Sequence, residues 1–162
     1  MVRFLSMPPG LQAPVYEDAQ TLKPTSDEAA DSLDPAAPST VQPQVGLPNA
    51  GMAIVAILDV TQAVGLVGDT LDVYIQTRVS AGLATPVWVD VMHFTQVLGN
   101  GGVKRFYGKL NLATAETMFE NASALAASAV RHFTGDLWRC RWKITNAGAA
   151  SFTFTVGIQP MG

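Results

Sequence analysis

Few side chains in this sequence have the chemistry that catalysis or metal binding requires. The chain contains two histidines, His93 and His132, and one cysteine, Cys140. If Asp90 and His93 share a strand, their odd spacing places them on opposite faces, because successive strand side chains alternate. We therefore predict no catalytic residues, no metal site and no cofactor, with Cys140 as a small buried apolar residue. A hydrolase site assembled from distant residues is the least favoured alternative.

A glycine-rich segment, Gly99-Asn100-Gly101-Gly102, precedes Val103 and Lys104. A phosphate-binding loop of the Walker type ends in Gly-Lys-Ser/Thr and leads into a helix. Neither feature follows here, so the segment predicts a turn between two strands.

Two further sets of residues are candidates for binding rather than catalysis. Arg139, Arg141 and Lys143 alternate along one segment and form a basic stripe, which predicts either a solvated strand face or a docking surface for an acidic partner. Tyr74 and Trp88 are candidates for stacking against a sugar, the alternative for Trp88 being ordinary packing.

The segment from Thr70 to Phe94 is expected to position these residues. One face of its first half carries side chains suited to burial, namely Leu71, Val73, Ile75, Thr77 and Val79. Its second half alternates Val87, Val89 and Val91 with Trp88, Asp90 and Met92. Period-two alternation predicts two half-buried strands, and the Gly and Pro between them predict a β-hairpin.

Similar alternation predicts strands over 103–110, 137–145 and 151–159. Residues 52–60 are apolar on both faces, which predicts a strand that is buried on two sides or lies in a subunit interface. Four aromatic side chains are placed in the core: Trp138, Trp142, Phe152 and Phe154. Residues 111–133 are ambiguous, and the alanines favour a short helix over 113–121 before a strand over 125–133. The predicted fold is all-β, an antiparallel β-sandwich of jelly-roll or immunoglobulin-like type, over residues 51–162.

Residues 1–50 differ in composition from the rest. They contain most of the prolines and more acids than bases, whereas residues 51–162 carry a slight excess of bases. Proline lacks a backbone donor and fixes φ, so this density predicts an extended arm. The arm's predicted apolar anchors on a partner are Phe4, Leu5, Leu11, Tyr16 and Leu22.

Overall composition limits the partners. The net charge of −3 gives no electrostatic basis for nucleic-acid binding. No apolar run approaches the roughly 20 residues of a membrane helix, and the first residues do not resemble a signal peptide. These features predict synthesis in a cytoplasm and no membrane partner.

The segments LDVYIQTRVSAGLATPVWVDVMHFTQVLGNGGVKRFYGKL and GDLWRCRWKITNAGAASFTFTV resemble small structural proteins encoded in the morphogenesis regions of tailed bacteriophages. The resemblance covers residues 50–162 and includes no catalytic signature. It implies a virion protein made in the host cytoplasm, most simply a capsid decoration (cement) protein. Its implied partners are the major capsid protein and further copies of itself, as an oligomer such as a trimer.

Two alternative functions follow from the same resemblance. One is a carbohydrate- or host-surface-binding β-sandwich on the tail or fibre, with Tyr74 and Trp88 as the stacking residues. The other is a component of the head-tail connector. Neither alternative requires catalysis.

Overall fold

The computed structural model describes residues 19–32, 44–47, 53–79, 84–85, 87–121, 124–145 and 150–161. All regular secondary structure among these residues is β-strand, and every strand pairing is antiparallel. The prediction of an all-β, antiparallel protein is therefore confirmed.

Nine strands within the described ranges form two sheets. In chain order they are β1 (Gln20–Glu28), β2 (Ala53–Val64), β3 (Thr70–Val79), β4 (Val87–His93), β5 (Val97–Leu98), β6 (Lys104–Asn111), β7 (Ala129–Val130), β8 (Trp138–Thr145) and β9 (Ser151–Met161). The first sheet has the order β1-β9-β2-β6. In the second sheet β8 pairs with one edge of β3, β4 and β5 pair with the other, and β7 pairs with β4.

The predicted pair of strands on either side of residues 80–86 is present as β3 and β4. Along β3 the side chains of Leu71, Val73 and Ile75 are buried, as their alternation predicts. The turn itself lies mostly outside the described residues. Because β3 also pairs with β8, it is the central strand of the second sheet.

One hydrophobic core is shared by the two sheets. The four aromatic residues predicted to lie there are all buried: Trp138, Trp142, Phe152 and Phe154. The rings of Trp142 on β8 and Phe154 on β9 meet edge to face, with centroids 5.6 Å apart. This contact joins the second sheet to the first and is a favourable geometry for an aromatic pair.

The predicted separation of residues 1–50 from the folded part is wrong for β1. This strand pairs with β9 and forms an edge of the first sheet. Pro24 is compatible with that position, since an edge strand can dispense with a ladder donor. Leu22, predicted to anchor an arm on a partner, is instead completely buried in the core of its own chain.

Two residues that follow β1 in the chain, Ser32 and Val45, lie along the free edge of β8. The backbone N–H of Ser32 donates to the Trp142 carbonyl, and Val45 exchanges two backbone hydrogen bonds with Trp138. An uncovered edge would present unpaired backbone groups. The N-terminal part of the chain thus completes both sheets. The other predicted anchors, Phe4, Leu5, Leu11 and Tyr16, lie outside the described residues.

The helix predicted over 113–121 is wrong, because these residues form a turn followed by irregular backbone. Of the strand predicted over 125–133, only Ala129–Val130 is present. This segment is held by a tertiary contact instead of helical hydrogen bonds. The rings of Phe119 and Phe133 meet edge to face, with centroids 5.8 Å apart. The helix propensity of alanine is too weak to resist such contacts.

Candidate docking surfaces

The outer face of the second sheet carries both sets of binding residues predicted from the sequence. Strand register places Arg141 beside Tyr74 and Arg139 beside Gln76. Trp88 lies beside Arg78 on the other side of β3. The basic stripe and the two aromatic residues, predicted as alternatives, are therefore neighbours on one surface.

The two arginines of the basic stripe lie over the two aromatic rings. The Arg141 guanidinium carbon is 4.0 Å from the centroid of Tyr74, and that of Arg139 is 4.1 Å from the Trp88 ring. A guanidinium over an aromatic face is an attractive cation–π arrangement. Each of these contacts covers one face of a ring, which reduces the ring surface available for stacking against a sugar.

The arginines are also paired with polar groups of the same face. Arg141 Nη2 donates to Asp90 Oδ2 across 3.0 Å, and Arg139 Nε donates to Gln76 Oε1 across 2.7 Å. Gln76 Nε2 in turn donates to Asp90 Oδ1 across 2.8 Å. Of the three stripe residues, Lys143 is exposed whereas Arg139 and Arg141 are half-buried. The two arginines therefore belong to a connected polar network and do not form a free basic patch.

The expectation that Asp90 and His93 lie on opposite faces is wrong. Gln76 pairs with Asp90 whereas Ile75 pairs with Met92, which leaves Val91 as an extra residue in β4. A β-bulge of this kind shifts the alternation by one residue. His93 consequently lies beside Tyr74 on the same outer face as Asp90.

His93 is held at both ring nitrogens. Nδ1 lies 2.8 Å from the Leu125 carbonyl oxygen, and Nε2 lies 3.0 Å from Asp72 Oδ1. With Asp72 ionised both partners are acceptors, and the imidazolium form of His93, in which both nitrogens donate, satisfies both of them. Burial opposes this charge, but the hydrogen bonds to Asp72 and Leu125 outweigh it and raise the pKa of His93.

Asp72 is correspondingly held as a carboxylate. Gln96 Nε2 donates to both of its oxygens, at 3.1 and 3.0 Å. Burial favours the neutral acid, but the hydrogen bonds from His93 and Gln96 prevail and lower the pKa of Asp72. The imidazole ring of His93 also stacks on Tyr74, with centroids 4.0 Å apart. Strand order therefore places Tyr74 between His93 and Arg141, and neither ring face is open.

The outer face of the first sheet contains a hollow that sequence reasoning missed. Its lining is Ile57 and Asp59 on β2, Arg105 and Tyr107 on β6, and Thr155 and Gly157 on β9, which we call the Tyr107 hollow. Its volume is about 340 Å³. The signal available in the sequence was Gly157, since glycine within a strand often marks a close approach or a ligand.

A third surface is apolar and lies at one end of the two sheets. Large exposed side chains come from the end of β2, the β2–β3 loop, β5 and the turn before β6, and we call them the apolar end: Val64, Leu66, Val67, Leu98 and Val103. Leu66 and Val67 are each 65% exposed and Val103 is 73% exposed. Surface regions of this kind mark interaction sites when the side chains are contiguous.

The loops of the apolar end are held by backbone hydrogen bonds. Asp69 is buried; its carboxylate accepts from the Leu66 N–H across 2.8 Å, and its carbonyl accepts from the Gly99 N–H across 2.8 Å. Gly99 lies so close that a Cβ there would be 2.7 Å from the Leu66 carbonyl oxygen. These hydrogen bonds connect the loop that bears Leu66 and Val67 to the turn after β5.

Within the described ranges, no group of three or more His, Cys, Asp or Glu side chains is placed to hold a metal ion. The same residues include no helix long and apolar enough to cross a membrane.

No family model, curated protein or solved structure matches this chain.

Proposed function

We propose that this chain is a structural protein of a tailed-bacteriophage virion and that it decorates the capsid. The phage assignment is supported by the resemblance of residues 50–162 to virion proteins. We further propose that the two sheets are those of a β-sandwich of jelly-roll or immunoglobulin-like type. A protein of this class acts by adhesion and is not an enzyme.

The observation that carries the proposal is the apolar end. Leu66, Val67 and Val103 expose most of their surface to solvent. The loop that bears Leu66 and Val67 is closed by hydrogen bonds between Leu66 and Asp69. Burial of such side chains contributes about 25 cal/mol per Å² of apolar area. A fixed backbone reduces the ordering cost of association. We assign this end to the contact with the major capsid protein.

Further copies of the chain are the second proposed partner. A trimer at a three-fold position of the capsid would repeat the apolar end around one axis. Residues 1–18, which include four of the predicted anchors, would add contacts to neighbouring subunits. In this proposal β1 belongs to the folded part and is not one of those contacts.

Attachment to particles tests the proposal. Labelled full-length protein is titrated onto shells that lack it, and the double variant Leu66→Ser, Val67→Ser is compared with Met118→Ser. Met118 is fully exposed, lies after β6 and serves as the matched control. The double variant should lose binding while its melting temperature stays close to that of the parent. Equal binding by all three proteins would contradict attachment through the apolar end.

Copy number in purified particles distinguishes the capsid role from the connector role. Quantitative mass spectrometry should find one protein, or one trimer, for each equivalent site of the capsid lattice. Copies confined to a single vertex would instead support the connector. Sugar binding at Tyr74 and Trp88 has less support than either, since arginines lie over both rings.

A further inference from the structure

The Tyr107 hollow has a composition that differs from both the polar network and the apolar end. It combines one exposed aromatic ring, a glycine, an aliphatic side chain and a neutral ion pair within one depression. We propose that the hollow binds a neutral pyranose ring of a polysaccharide. This function is additional to capsid attachment and uses a different surface.

Tyr107 provides the stacking surface. Its side chain is 67% exposed, and no guanidinium or aromatic ring among the described residues lies over its face. Tyr74 differs in this respect, because His93 and Arg141 occupy its two sides. An exposed aromatic ring at the edge of a depression offers an apolar face to the C–H groups of a sugar.

Gly157 creates the space beside that ring. Register aligns Gly157, Ile57 and Tyr107 in one row across three strands, all pointing outward. Among the described residues, a Cβ at Gly157 would meet only the Gln20 carbonyl oxygen, at 3.6 Å, so their packing does not require glycine there. A glycine that packing does not require, in the interior of a strand, is explained by an occupant that needs the room.

The adjacent row supplies polar groups for sugar hydroxyls. Register aligns Thr155, Asp59 and Arg105, and Arg105 Nη2 donates to Asp59 Oδ2 across 2.6 Å. Among the described residues that contact uses one carboxylate oxygen, which leaves Oδ1 as an acceptor. A carboxylate acceptor beside guanidinium donors suits a pair of neighbouring hydroxyls. Because the two charges cancel, the row favours a neutral sugar over an acidic one.

The dimensions agree with one sugar ring of a longer chain. The volume of about 340 Å³ lies near the lower end of the range of small-molecule sites, roughly 300–1,000 Å³. The depression is open to solvent, so the flanking units of a polysaccharide can continue across the threonine-rich face of β1 and β9. Thr25 and Thr155 form a hydroxyl–hydroxyl hydrogen bond on that face.

The test begins with the full chain on an array of bacterial surface polysaccharides. NMR titration with the methyl glycosides of glucose, galactose and N-acetylglucosamine then locates the site. We expect chemical-shift changes at Gly157 and Thr155, and a loss of affinity of about fivefold or more in Tyr107→Ala. Tyr107→Phe should bind like the parent, because it keeps the stacking face.

A glycine pair provides the matched control. Gly157→Ala should weaken binding by filling the floor of the hollow, without lowering the melting temperature. Gly68→Ala, at a position where no atom of the described residues lies within 4 Å of the added Cβ, should bind like the parent. The absence of shift changes with every saccharide at millimolar concentration would overturn the proposal. Binding that survives Tyr107→Ala, or an intact particle in which this face is buried against another protein, would overturn it as well. Particle attachment is measured separately, so the two proposals fail independently.

Discussion

His93 and Asp72 form a buried, charge-assisted pair on the outer face of the second sheet, with Nε2 and Oδ1 3.0 Å apart. The second ring nitrogen of His93 donates to the Leu125 carbonyl, so the same side chain ties the segment before β7 to β3. Only the imidazolium satisfies both acceptors. These hydrogen bonds favour the charged form of His93 and raise its pKa, although burial opposes the charge.

This pair predicts a specific dependence of stability on pH. The raised pKa of His93 means that its contribution is complete below the ordinary value of about 6.5 and is lost as pH rises through the folded value. The lowered pKa of Asp72 means that its contribution is present above its ordinary value of about 3.9 and is lost as pH falls through the folded value. The contribution of His93 to the free energy of unfolding should therefore decline from about pH 6.5 upward.

Urea unfolding of four proteins measures the effect: the parent, His93→Gln, Asp72→Asn and the double variant. Breaking a buried pair typically costs about 3–5 kcal/mol. The decline above neutral pH should be absent from His93→Gln. Parallel pH profiles for the parent and His93→Gln would show that this histidine does not carry the dependence.

Leu22 tests whether β1 is part of the folded core. Its side chain is completely buried, so Leu22→Ala should lower the free energy of unfolding by about 2–5 kcal/mol. Thr21→Ala, at the neighbouring exposed position, is the control and should change it little. Chemical denaturation measures both. If the two variants were equally stable, the N-terminal strand would not contribute to the core.

Trp142 tests the contact between the two sheets. Trp142→Ala removes the edge-to-face contact with Phe154 and the hydrogen bond from Nε1 to the Ala30 carbonyl. We expect a loss of about 3–5 kcal/mol, a large share of a typical total of about 5–15 kcal/mol. Trp88→Ala, at a half-buried position on the outer face, should cost less. Calorimetry on both variants compares their losses of stability. A larger loss in Trp88→Ala than in Trp142→Ala would contradict the assignment of Trp142 to the core.

Cys140 should be unreactive in the native state. Its side chain is completely buried, and burial raises the pKa of the thiol far above its ordinary value. Since the thiolate is the reactive form, both access and ionisation are suppressed. Labelling with a thiol reagent should proceed only as fast as the protein unfolds and should accelerate with urea. Rapid stoichiometric labelling without denaturant would contradict the buried position.

The strands of this protein could be predicted because their signal is local. Alternation along β3, β8 and β9 assigns Leu71, Trp138 and Phe152 to the interior, and all three are buried. The helix over 113–121 was predicted from alanine propensity, which is a weak local signal. The contact between Phe119 and Phe133 that opposes it joins residues far apart in the chain.

The bulge at Val91 could not be predicted from alternation. Val89 and Val91 are both buried, yet the residues after Val91 exchange faces, because one residue of β4 has no partner on β3. That single shift brings His93 beside Tyr74 and within reach of Asp72. Period-two patterns describe each strand alone and contain no information on where two strands change register.

The sequence by itself determined that the protein is all-β and which faces of β3, β8 and β9 turn inward, because burial imposes a pattern on neighbouring residues. Only the tertiary structure decided which outward side chains meet. Arg141, Tyr74 and His93 come from three strands and form one row, since β3 lies between β8 and β4. It also decided that Leu22 belongs to the core, because the edge of β9 was open to β1, which lies in a segment whose prolines and acids suggested an arm. Contacts of this kind depend on strand order and register, which are set by the packing of the whole chain.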